Sequence, residues 1–168
     1  MYLSLGTCGV WCVEGNYSAW DLISSVSIIS NLGDVLVLGC YNPSDAAFDW
    51  LATNQMRTVE SPKPYDHSFE LNRREYPRGQ AFELALSDDI IAGLKTLCKL
   101  ERGSLDKALF FDHLVMYRCG LPLLPLVNYH DAFSGGRLYC SGLYKEHEMR
   151  GFSNALGARV RFDENPEL

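Results

Sequence analysis

The sequence predicts a fold between α/β and α+β, a mixed sheet of about six or seven strands that carries an antiparallel meander and is covered by helices. Three observations point there. The run Asp112–Leu143 holds strand-forming segments separated by Cys119-Gly120 and Gly135-Gly136, the kind of pair a tight hairpin turn uses. The run Val35–Tyr41, VLVLGCY, lacks polar alternation and reads as a strand buried on both faces, which demands covering helices. Around that strand, segments of helical period alternate with strand-like runs, as they do in α/β chains.

Taken in order, Tyr2–Leu5 and Val10–Val13 are rich in strand formers around Gly6 and Gly9 and predict a short hairpin. Ser18 is a good N-cap with Asp21 three residues on, and Ala19, Leu22, Ile23, Val26 and Ile29 recur at helical spacing, so a helix is expected over residues 19–31 with Gly33 beyond its end. After the buried strand, Asn42-Pro43 reads as N-cap and first turn of a helix reaching about Asn54.

Phe82–Leu86 predicts a strand, and Ser87 caps a helix through Glu101 whose first turn holds Asp88 and Asp89 and whose far end holds Lys95, Lys99 and Arg102. Near the end of the chain, Met149, Phe152 and Leu156 define a helix over Glu146–Leu156 stopped by Gly157. Arg159–Asp163 then alternates cleanly, with Val160 and Phe162 inward and Arg159 and Arg161 outward.

The meander, residues 113–143, is read as strands His113–Arg118, Leu126–Phe133 and Arg137–Leu143. A two-residue turn at Cys119-Gly120 would pair Tyr117 with Pro122 and Met116 with Leu123. Two prolines, Pro122 and Pro125, cannot both sit in one regular strand, so a bulge is expected between Leu121 and Leu126. In that register His113 and His130 stand roughly 13 Å apart, too far to share a metal.

Size and composition fit a single globular domain over residues 1–168: 47% of residues are apolar and 21% charged. The net charge of −6 argues against nucleic acid and anionic membrane as partners and favours a basic protein partner. Six cysteines, at positions 8, 12, 40, 98, 119 and 140, accompany an N-terminus without signal-peptide character, so they read as reduced thiols of a cytoplasmic protein. The longest apolar run, Leu121–Val127, is far too short for a membrane helix.

No glycine-rich phosphate cradle, no C-x-x-C, no H-x-x-x-H and no G-x-S-x-G occurs, so neither a cofactor nor a metal is expected. Residues 57–79 form a long irregular segment in which Tyr65, Phe69 and Tyr76 interleave with Arg73 and Arg74. Aromatic and arginine anchors of this kind suit a protein partner.

Two functions from different classes follow. The first is a non-enzymatic cytosolic binding module, for example an acidic inhibitor or immunity-type protein that neutralises a basic partner. The alternative is a small cysteine-type hydrolase or transferase with Cys8 as nucleophile, His130 as base and Asn128 as orienting group. Asn128 and His130 share a strand face, with Ser141 opposite His130 if Gly135-Gly136 is a tight turn. Such a trio reads best as a hydrogen-bonded patch on the solvent side of the meander.

Overall fold

A computed structural model describes residues 9–40, 43–56, 80–102, 111–118, 124–129 and 137–164. In chain order its elements are β1 (Val10–Glu14), α1 (Ala19–Val26), β2 (Val35–Cys40), α2 (Asp45–Asn54), β3 (Gln80–Ala85), α3 (Asp88–Arg102), β4 (His113–Arg118), β5 (Leu124–Tyr129), β6 (Leu138–Ser141), α4 (Glu146–Leu156) and β7 (Arg159–Asp163). The strands form one sheet in the order β3-β2-β4-β5-β6-β1-β7. Every neighbouring pair is antiparallel, so of the two expected classes the α+β one is realised, with seven strands.

The helices gather on one face. Leu36 and Leu38 of β2, Phe82 and Leu84 of β3, and Leu114 and Met116 of β4 lie side by side in register and are all buried. They join one apolar core with Leu22, Ile23 and Val26 of α1, Leu51 of α2, Leu94 and Leu97 of α3, and Met149, Phe152 and Leu156 of α4. The opposite face of β2 and β4 carries a smaller cluster, Val35, Val37, Val115 and Tyr117, against Met56 and Ala81. Each residue of β2 is buried, as its unbroken apolar run requires.

Local signals in the sequence explain most element ends. Ser18 accepts the Asp21 amide at 3.2 Å while the Asp21 carboxylate accepts from Ser18 N at 2.9 Å, which closes the capping box of α1. That helix stops at Val26, short of residue 31. Its last turn tightens to i→i−3 bonds, Ile28 N to Ser25 O and Ile29 N to Val26 O, and Asp34 takes the Asn31 amide at 2.7 Å. At α2 the cap is Ser44, whose hydroxyl accepts from Ala47 N at 3.3 Å, two residues beyond the expected Asn42. Both α4 and β7 have the expected bounds, and Gly157 ends α4 in the left-handed region at φ 63°.

The meander differs in register. Tyr117 pairs with Pro125 and Met116 with Val127, so the first connection runs from Arg118 to its partner Leu124 and spans residues 119–123 instead of two. The bulge falls at Leu126. Pro125 has no N–H to give the ladder, and regular pairing resumes at Val127. The second connection is also longer than two residues, since Tyr129 pairs with Leu138. The separation reckoned for His113 and His130 rested on the displaced register and does not stand. His130 itself lies outside the described residues.

At the N-terminal side, β1 is inserted between β6 and β7, which take both edges of Val10–Val13. The hairpin expected with Tyr2–Leu5 is therefore not what pairs β1, and residues 2–5 lie outside the described part. No helix among the described residues is long and apolar enough to cross a membrane.

Candidate functional site

Most residues singled out in the sequence lie outside the described part of the structure: Cys8 and His130 of the cysteine-type assembly, and Tyr65, Phe69, Arg73, Arg74 and Tyr76 of the 57–79 segment. Asn128 is described. It stands on β5 between Val115 of β4 and Tyr139 of β6 and is only 9% exposed. Ser141 pairs with Val10 of β1 and is fully buried, its hydroxyl accepting from Leu143 N at 3.2 Å. A solvent-side patch formed by these two residues is thus excluded: both are interior, and Ser141 lies along the strand from the Asn128 partner because the second connection is long.

Four described cysteines, Cys12, Cys40, Cys98 and Cys140, are free and buried. Burial pushes the Cys12 thiol up, with the neighbouring Glu14 carboxylate adding to the shift and accepting from Sγ at 3.6 Å. Burial likewise raises Cys40 and Cys140 well above the ordinary thiol range. Cys12, Cys40 and Cys140 are therefore protonated thiols at neutral pH, and the thiolate is the nucleophilic form. No group of three or more His, Cys, Asp or Glu side chains that could hold a metal occurs among the described residues.

Two described surfaces set charged side chains beside partly buried aromatic ones. The first is the outward side of α2 and the start of α3. Asp45 and Asp49, one turn apart, are exposed, α2 contains no Lys or Arg, and Phe48 and Trp50, on either side of Asp49 in the chain, are half-buried. Phe48 meets Phe82 edge-on at 5.8 Å, and Trp50 lies against Gly93 of α3. Asp88 and Asp89 add two exposed carboxylates at the start of α3. Lys95 and Lys99 of α3 sit elsewhere, over the Trp20 ring of α1 at 6.0 and 4.8 Å.

The second surface is a half-open cleft of about 460 Å³ between α4 and β7, lined by Trp11, Glu146, Arg150, Val160 and Phe162. Register builds its floor. Trp11 pairs with Phe162 and Val13 with Val160, so both β7 apolar side chains fall on the helix side of the sheet. The Trp11 and Phe162 rings meet at 4.7 Å and 55°, and Trp11 Nε1 donates to Tyr144 O at 3.0 Å, which fixes the indole. On the rim Arg150 Nε donates to Glu146 Oε1 at 2.8 Å. Among the described residues that line it, the apolar floor of Trp11, Val160 and Phe162 is bordered by the Glu146–Arg150 ion pair, and none is a Cys, His, Ser or Thr.

Phe162 is inward in direction, as its alternation with the arginines requires, yet 37% exposed, because β7 is the last strand of the sheet. Trp11 carried no signal beyond its place between two cysteines. Seven antiparallel strands with one helical layer define an α+β protein. Comparison with known proteins adds no relative: no family model, no curated protein and no solved structure matches the chain.

Proposed function

We propose that the chain is a cytosolic, non-enzymatic binding module that covers a basic protein partner, in the manner of an acidic inhibitor or immunity-type protein. The observation that carries this reading is the α2 surface, where exposed Asp45 and Asp49 stand beside half-buried Phe48 and Trp50 without any cation in the helix. Carboxylates around aromatic groups steer a cationic partner by long-range attraction and hold it by desolvated contact. The formal net charge of −6 extends the same attraction to the whole molecule.

The test is capture on the immobilised chain at low ionic strength from cells that make it, followed by a salt gradient and identification of what elutes. A single basic protein, released as salt rises and lost with an Asp45→Lys/Asp49→Lys variant, is expected. Retention of nothing, or retention indifferent to salt and to the charge reversal, overturns the reading. Nothing among the described residues favours the cysteine-type alternative, whose Cys8 and His130 lie outside them.

A further inference from the structure

The free margin of β7 carries an inference independent of the acidic α2 surface. Among the described residues β7 pairs with β1 alone and closes one side of the sheet. Arg159, Arg161 and Phe162 are exposed on it. An open strand edge is a template for another strand, and proteins commonly blunt it with charge. Here the charges are arranged differently, because the sequence Arg159-Val160-Arg161-Phe162-Asp163 is complementary to itself when laid antiparallel about Arg161.

We infer that β7 is a homodimer edge, at which a second copy of this chain adds its own β7 antiparallel with Arg161 on the two-fold axis. In that register Arg159 faces Asp163 of the other copy and Val160 faces Phe162 of the other copy, each pair occurring twice. Both sheet faces then match. On the polar face Glu14 is already the β1 neighbour of Arg159, so each Arg159 lies between two carboxylates, one from its own chain and one from the second. On the helix face the row Trp11–Phe162 of one copy continues into Val160–Val13 of the other, and the two aromatic clefts meet across the junction. Phe162, an exposed large apolar side chain, is covered.

The weak point is the axis, where two Arg161 side chains meet. Each keeps its own Asp163 at 3.2 Å, and the like-charge contact is the one unfavourable pair of the five. A five-residue edge buries less than a standard interface, so association in the micromolar range is expected.

Sedimentation and light scattering from micromolar to hundreds of micromolar protein test the inference. The wild-type chain is expected to dimerise and Phe162→Lys to remain monomeric, while Leu32→Lys, at another exposed apolar position, dimerises as the wild type does. Arg161→Thr is expected to tighten the dimer roughly two- to fivefold, since it removes the like-charge pair, an effect that damage to the fold would not produce. Register is read by oxidation. Arg161→Cys is expected to cross-link to itself beyond the wild-type level, because facing Cα atoms in antiparallel strands lie about 4.5–5.5 Å apart. A wild-type monomer throughout the range, a Phe162→Lys dimer, or self-cross-linking by Phe162→Cys in place of Arg161→Cys overturns the inference. So does a monomer whose β7 amides become protected only when a different polypeptide is added, which would make that edge the seat of a partner strand.

Discussion

At the residue scale, Gly93 marks the closest approach of α3 to α2, because a Cβ there would run into the Trp50 ring. Gly93→Ala is therefore expected to lower stability by about 1–3 kcal/mol through overpacking, despite the better helix propensity of alanine, as urea denaturation can measure. Asp34 poses the opposite case, a carboxylate 2% exposed that accepts from Arg118 Nε at 3.1 Å and from Asn31 N at 2.7 Å. Arg118→Ala leaves that charge interior without its guanidinium and is expected to cost about 1–3 kcal/mol, discounted because the arginine is itself partly in solvent. The buried thiols and phenols set an alkaline limit. Cys40 and Cys140 are raised by burial above their ordinary value of 9.0, as Tyr17 and Tyr144 are above 10.0. Their contribution is complete below those ordinary values and is lost as pH rises beyond them, because the unfolded groups ionise first. Each group removes about 1.4 kcal/mol per pH unit once its unfolded form is ionised. The urea midpoint should fall as pH rises above the ordinary thiol value of 9.0 and more steeply above the ordinary phenol value of 10.0, and fall less steeply in Cys140→Ala. A flat profile would contradict the burial of these groups.

At the element scale, helices with a local start and stop were legible. Ser18 with Asp21, Ser87 with Ile90, and Gly157 after α4 act over three or four residues, so the chain text contains the whole interaction. Ser18→Ala should cost about 1 kcal/mol, and Gly157→Ala a similar amount because its φ is positive, both seen as shifts in thermal midpoint. The α1 end was not legible: Asp34 on the approach to β2 and the bond from Gly33 N to Leu86 O at 2.9 Å draw the chain away before residue 31. The meander register escaped for a related reason. Cys119-Gly120 looked like a turn, but the pairing of β4 with β5 answers to which side chains meet across the strands and to the missing Pro125 amide.

At the scale of the molecule, strand order decides which backbone is protected. β2, β4 and β5 lie inside the sheet, whereas β7 stands at one margin and β3 at the other, where Met56 N donates to Glu83 O. Hydrogen exchange should be slowest in β2 and β4 and faster in β7 of the monomer, a gradient that mass spectrometry can read and that uniform protection would refute. The identity of the elements, the buried character of β2 and the acidity of the surface follow from composition and period, since propensity and burial pattern are local properties of the chain. The insertion of β1 between β6 and β7, the interior position of Ser141, and the exposure of Phe162 over its cleft with Trp11 follow from contacts between segments more than a hundred residues apart. Such contacts are selected by how all the apolar faces pack together at once, and no window of sequence contains that competition.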